Sequence, residues 1–179
     1  MKSPPSRTEA LRILRQLNVS KSIIKHSIAV CEKSLKMARM IESNGHRVNL
    51  SILEAGALLH DIGRIRTNGI LHGVAGGQIL RELGICEEVA RIVETHVLGG
   101  ISRREGKNLG FPLGDFRPKT VEEKICCYAD KLTKGSVYVT LEERFAYWIQ
   151  KYGKTPEIVK SLRYAKKIER FIKKLMGES

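Results

Sequence analysis

No stretch of this sequence approaches the ~20 consecutive apolar residues needed to cross a bilayer, so a membrane-spanning helix is not expected. The N-terminal MKSPPSRTEALRILRQLN scatters charge through its length and has no apolar core of the secretory type, which makes the cytoplasm the expected location. The four cysteines (Cys31, Cys86, Cys126 and Cys127) form no CxxC pair and no evident disulfide framework, so they read as reduced packing residues. No internal repeat and no low-complexity linker breaks the chain. Aromatic residues are only 6% of the total, and neither an aromatic platform nor an RNA-binding module motif is present. Acidic residues are also scarce: 19 Asp and Glu against 32 Lys and Arg leave a net charge of +13. That excess favours phosphate-rich partners and decides nothing about the fold.

What remains is an ordinary globular composition, 42% hydrophobic and 28% charged, over 179 residues, enough for one cored domain spanning 1–179. Helix starts recur as capping boxes at Ser6-x-x-Glu9, Ser51-x-x-Glu54, Thr120-x-x-Glu123 and Thr140-x-x-Glu143, with Thr155-Pro156 adding a capped proline start. Gly45, Gly63, Gly84, Gly99, Gly135 and Gly153 follow helical patterns as C-terminal stops do. Between these marks apolar residues recur at helical spacing, as in Val89, Ile92 and Val93, or Ile158, Leu162, Ala165, Ile168 and Ile172. The run from Ile52 to Leu59 is apolar nearly all round and predicts a central buried helix. Only Val137-Tyr138-Val139 looks strand-like, and it is too short to found a sheet. The expected fold is all-α, a compact bundle of roughly seven or eight helices, with C-terminal helices over about 140–176 packed on the rest. The longest irregular stretch, Gly99 to about Lys119, follows His96 and is expected to form a pocket wall or lid.

The chemistry concentrates in His26, His60, Asp61, His72, His96 and Asp130, each set beside strongly apolar sequence. His96 lies on the stripe of Val89, Ile92 and Val93, and Asp130 shares its helix with Ile125 and Cys126, so both point inward. His46, beside Gly45 in a turn, reads as a surface residue. A buried histidine or aspartate must be paired or bound, and one alone is usually satisfied by a hydrogen bond. Four histidines and two aspartates spread over five predicted helices instead suit a divalent ion, with Mn, Fe, Co, Ni, Zn and Mg all open.

The ordered set His26 … His60-Asp61-Ile62-Gly63 … His72-Gly73 … His96 … Asp130 resembles the HD-domain superfamily of metal-dependent phosphohydrolases, HDIG subgroup. Lys25-His26-Ser27, Ala57-Leu58-Leu59 and Ala129-Asp130-Lys131 agree with it, and the likeness covers about residue 20 to about 135. The resemblance implies that His26, His60, Asp61 and Asp130 hold one ion, with Asp61 bridging to a second contacted by His72 and His96. Relatives with a richer binuclear site carry a further histidine directly after the position of His96, where this chain has Val97, so one ion and two both stay open. It also implies a catalytic role for Asp61 in orienting water, with Arg64 and Lys131 neutralising phosphate charge. Arg103 and Arg104 are further phosphate-contact candidates.

The expected substrate is a small phosphorylated molecule of the nucleotide type. Dinucleoside polyphosphate hydrolysis is an alternative, since His72-Gly73 and Thr95-His96 are similar to that HD type, and cyclic-nucleotide phosphodiester hydrolysis is another. Residues 110–118 and Thr120-Val121-Glu122-Glu123-Lys124 look more like a compact archaeal-type member. The C-terminal helix carries Lys160, Arg163, Lys166, Lys167, Arg170, Lys173 and Lys174 opposite an apolar stripe. It reads as a solvated face, with nucleic-acid binding by a non-enzymatic HD-fold protein as the other possibility. A homodimer through apolar positions on the terminal helices is also open.

Overall fold

The computed structural model describes residues 3–178. Nine α-helices are formed among the described residues: α1 Arg7–Gln16, α2 Lys21–Ser43, α3 Leu50–Leu59, α4 His72–Glu82, α5 Glu87–Thr95, α6 Arg103–Asn108, α7 Val121–Lys131, α8 Leu141–Tyr152 and α9 Pro156–Leu175. A two-residue hairpin of β1 (Thr133–Lys134) and β2 (Val137–Tyr138) joins α7 to α8, so the strand-like signal yields no more than a turn. Among the described residues, no helix is long and apolar enough to cross a membrane.

The caps explain most helix starts. Ser6 with Glu9 and Thr140 with Glu143 form full reciprocal boxes, and Thr155 caps α9 with Pro156 in the first turn. Thr120 caps α7, but the Glu123 carboxylate takes the backbone N–H of Lys119 instead of completing the box. Two expectations are corrected here. Asn49, not Ser51, caps α3, because its side chain already accepts from Ile52 N and draws Ser51 into the first turn. Residues 99–119 are not structureless, since Ser102 and Glu105 form a capping box that starts α6 and raises the helix count to nine.

α3 lies at the centre, with Leu53, Ala55, Gly56, Ala57, Leu58 and Leu59 all buried. It is apolar all round because other helices surround it: Val30 and Ile41 from α2, Ile92 and Val93 from α5, and Ile125 and Ala129 from α7 belong to the same cluster. Burying each such leucine or isoleucine contributes about 1.5–3 kcal/mol. Gly56 permits the close approach of α5, since a Cβ there would lie 2.6 Å from Ile92 Cδ1. Phe145 of α8 and Ala165, Ile168 and Ile172 of α9 join this cluster, so the C-terminal helices share the core of the motif-bearing ones. A second, smaller cluster of Val74, Val97, Ile101, Phe111 and Phe116 pins segment 99–119, with the two phenylalanine rings 5.3 Å apart.

All four cysteines are free, and three of them are buried. Burial pushes the Cys31 thiol up to about 12 and that of Cys127 up to about 11, which keeps them protonated and unreactive.

Candidate metal centre

Each ligand candidate sits at or near the end of a helix, where the chain turns inward. His60 caps the C-terminus of α3, and Asp61 begins a tight 3-10 turn over Ile62–Ile65. His72 is the first residue of α4, His96 follows the last turn of α5, and Asp130 is the penultimate residue of α7. His26 comes from the first part of α2. Gly63 makes the arrangement possible, and it is not the helix stop expected of it. A Cβ at this position would lie 1.9 Å from the carbonyl oxygen of His72 and 2.5 Å from the amide nitrogen of Gly76. Only glycine lets the 3-10 turn press on α4, which brings Asp61 Oδ1 within 3.1 Å of His72 Nε2.

The four imidazoles stand in a chain, with ring centroids 5.1 Å apart for His26 and His60, 4.9 Å for His60 and His96, and 4.9 Å for His96 and His72. Every one of them places Nδ1 on a backbone carbonyl: Gly135 O at 2.7 Å for His26, Ala57 O at 2.8 Å for His60, Gly69 O at 2.8 Å for His72 and Val93 O at 2.7 Å for His96. A carbonyl only accepts, so each Nδ1 carries a proton, and each ring turns its Nε2 inward. There the Nε2 atoms meet carboxylates and one another. His72 Nε2 lies 2.9 Å from His96 Nε2, and Asp61 Oδ1 is 3.6 Å from the latter. Asp130 Oδ1 lies 3.1 Å from His26 Nε2 and 3.8 Å from His60 Nε2.

His60 Nε2 and Asp61 Oδ1 are buried and have no hydrogen-bond partner among the described residues. Leaving such a group unpaired costs about 1–3 kcal/mol. Burial disfavours the imidazolium of His60, pushing it down to about 3, and burial likewise lowers His96. For His26 burial acts the same way, but Asp130 more than offsets it and raises its pKa above the ordinary value. Burial opposes the charge on Asp61 and Asp130 as well. The imidazoles around Asp61, and Lys131 with His26 beside Asp130, outweigh it and hold both carboxyls well below their ordinary range. Imidazole Nε2 atoms converging on ionised carboxylates are a donor set fitted to a divalent cation. His26, His60 and Asp61 form one group with ligand atoms within 4.8 Å of one another; Asp61, His72 and His96 form another, with Asp61 common to both.

Three cations border this centre. Arg64 Nε lies 2.7 Å from Asp61 Oδ2. Lys131 is 1% exposed, and its ammonium donates to Asp130 Oδ2 at 2.6 Å and to the His96 carbonyl at 2.8 Å. Both were candidates on sequence. The third, Arg144 of α8, was missed: its Nη2 stands 4.0 Å from Asp130 Oδ1, and its guanidinium lies over the ring of Trp148, 5.0 Å from the centroid. Nothing in the local sequence marks Arg144, which follows an ordinary capping box. Arg103 and Arg104 are exposed on α6 and do not line the cavity at the centre. That cavity, of ≈ 430 Å³, is walled by α8 and the start of α9, through Trp148, Tyr152 and Ile158. Leu98 is the last residue of its wall on the α5 side; segment 99–119 instead walls a separate cavity, through Gly100, Ile101, Glu105 and Leu109, against Ser161 and Tyr164 of α9. His46 is exposed and belongs to neither group.

The helical bundle thus brings four imidazoles and two carboxylates together in groups that could hold a metal ion. The profile of the HD domain matches residues 23–135, and this chain belongs to the HD domain family. Membership implies divalent-metal binding and, in general terms, metal-dependent phosphohydrolase chemistry. Over 154 residues the chain is 40% identical to a protein of Methanocaldococcus jannaschii described as uncharacterized, covering 86% of this chain and 90% of that one. It is 38% identical over 139 residues to the tRNA (cytidine(56)-2'-O)-methyltransferase of Picrophilus torridus, covering 78% of this chain but 39% of the methyltransferase. It is 33% identical over 90 residues to the ribonuclease Y of Thermobifida fusca, covering 49% of this chain and 18% of that enzyme. The likeness to these last two thus spans less than half of their own length. No solved structure matches the chain.

Proposed function

We propose that this protein is a divalent-metal-dependent phosphohydrolase acting on a phosphoester or phosphoanhydride of a nucleotide-like substrate. The observation that carries the reading is the convergence of four backbone-locked Nε2 atoms on Asp61 and Asp130. His26, His60, Asp61 and Asp130 would hold one ion, and Asp61, His72 and His96 a second. A divalent cation so held supplies Lewis acidity to a phosphoryl oxygen and to water.

The chain supplies the rest. Asp61 orients the attacking water by accepting a hydrogen bond from it. Arg64, whose side chain is 31% exposed at the cavity, neutralises phosphoryl oxygens as charge builds on them. Lys131 spends two of its three protons on Asp130 and the His96 carbonyl, fixing two ligand-bearing elements against each other, and it lines the cavity, where its charge also offsets that of phosphate. Apolar walls from Leu98, Ile158 and Trp148 limit water to the mouth of the cavity. Val97 fills the place of a further ligand and packs into the second apolar cluster, which favours the smaller ligand set at that position.

A nucleic-acid substrate is the second reading. It is favoured by the names of the methyltransferase and ribonuclease relatives and by the exposed basic side of α9. Elemental analysis of the purified protein, followed by a screen of phosphorylated metabolites and short oligonucleotides with Mn, Fe, Co, Ni, Zn and Mg, tests both. Bound divalent metal is expected, with turnover that Asp61→Ala abolishes. No turnover with any of these ions would sink the hydrolase reading.

A further inference from the structure

Of the three cations at the centre, two already have close partners. Arg64 Nε lies 2.7 Å from Asp61 Oδ2, and Lys131 donates to Asp130 Oδ2 at 2.6 Å and to the His96 carbonyl at 2.8 Å. Arg144 is placed differently. Its side chain is 13% exposed, yet its buried Nε has no hydrogen-bond partner among the described residues. The carboxylate oxygen it faces, Asp130 Oδ1, stands 4.0 Å from its Nη2, beyond hydrogen-bond reach. That oxygen is also approached by His26 Nε2 at 3.1 Å and His60 Nε2 at 3.8 Å, so a cation held by those rings would claim it.

A guanidinium withdrawn this far from water needs acceptors as well as counter-charge. Lys131 already neutralises Asp130 at closer range, so the carboxylate does not require a second cation. Trp148, whose ring centroid is 5.0 Å away, steadies the guanidinium but offers it no oxygen. Arg144 lines the ≈ 430 Å³ cavity, as Trp148 does, so the missing acceptor can arrive with a ligand. The HD profile ends at residue 135, and family membership therefore assigns no role to any residue of α8.

Resting on the phosphohydrolase reading, we propose that Arg144 is a substrate-binding residue, supplied by α8 from outside the HD match, whose fork receives anionic oxygens of the phosphoryl group on the Asp130 side of the centre. A planar guanidinium can donate to two such oxygens at once, which a single ammonium does less well. No bond is made or broken at Arg144. It holds the anion, while Arg64 stays on Asp61 and Lys131 on Asp130.

Inorganic phosphate is the probe, titrated by calorimetry into the metal-loaded full chain. The parent is expected to bind it saturably and with a change in the emission of Trp148, the protein's single tryptophan. Arg144→Gln should bind phosphate at least about tenfold more weakly, and Arg144→Lys, which keeps the charge but loses the fork, should fall between. Metal affinity, read by competition with a chelating dye, should stay within about twofold of the parent in Arg144→Gln, which separates holding substrate from supporting Asp130. The proposal is overturned by phosphate affinity in Arg144→Gln within about twofold of the parent, by no saturable binding or no Trp148 response in the parent, or by a loss of metal that matches the loss of phosphate. If circular dichroism shows Arg144→Gln unfolded, Arg144→Lys decides, and phosphate affinity equal to the parent's overturns the proposal. A failure of the hydrolase reading looks different: phosphate binding depends on Arg144, while no phosphate ester is turned over with any metal.

Discussion

The two carboxylates of the centre are built in opposite ways. Asp61 draws its partners from one short stretch: His60 beside it, Arg64 one turn on, and His72 and His96 within the next two helices. Asp130 draws most of its partners from across the molecule, with His26 on α2, His60 on α3 and Arg144 on α8, and only Lys131 adjacent. The histidines repeat the contrast. His60, His72 and His96 lock their Nδ1 on the carbonyl three residues earlier, a local device at a helix end, whereas His26 uses Gly135 on the hairpin after α7. The Asp61 half is thus set by short-range backbone geometry, and the Asp130 half by how α2, α7 and α8 pack. Damage to the first should be felt as strain within one turn, and damage to the second as loss of register between helices.

The harshest way to break the Asp61 half is Gly63→Ala. The new Cβ would sit on the His72 carbonyl, and backbone has no rotamer by which to yield. We expect a loss of about 3 kcal/mol or more in urea unfolding, with metal content falling in the protein that still folds. On the Asp130 side, Lys131→Met keeps most of the side-chain volume but frees the Asp130 carboxylate and the His96 carbonyl. Metal affinity should drop by roughly 10–100-fold by competition with a chelating dye, while helicity persists. Equal metal affinity in parent and variant would show that the Asp130 half holds its register without the lysine.

Outside both halves the effects should shrink. Ser102→Ala removes the cap of α6 and should lower stability by about 1 kcal/mol in thermal or urea unfolding, leaving metal content unchanged. A loss of metal there would mean that segment 99–119 supports the centre after all. Smallest of all is the Asp115–Arg117 pair. The Arg117 side chain holds the Asp115 carboxyl down to about 2, below its ordinary 3.8. A lowered folded-state value means the pair's stabilisation is complete above the ordinary carboxylate range and is lost as pH falls through the folded value. The difference in melting temperature between parent and Asp115→Asn should therefore shrink from about pH 5 to about pH 2.

How much of this was legible before folding follows the same division. α3 was visible as an all-round apolar run because every face of it is covered, and α8 and α9 because their caps and stripes are regular. α6 was hidden: at six residues it has too few turns for a stripe, and only the Ser102–Glu105 box betrays it. Gly63 looked like a stop because a glycine after a helix usually is one, yet its purpose is the close approach of another helix. Arg144 and Trp148 gave no signal, since an arginine four residues into a capped helix is the commonest kind of surface residue.

By itself the sequence determined the helices other than α6, the inward direction of six candidate ligand side chains and, for three of the four histidines, a partner carbonyl three residues away. Helix periodicity and i−3 hydrogen bonds act over a few residues, and short-range patterns record them. Tertiary structure alone decided that His26 meets Asp130, that Lys131 bridges Asp130 and the His96 carbonyl, and that Arg144, over the ring of Trp148, lines the cavity at the centre. Those depend on where α2, α7 and α8 come to rest, which is set by the volumes of a shared core.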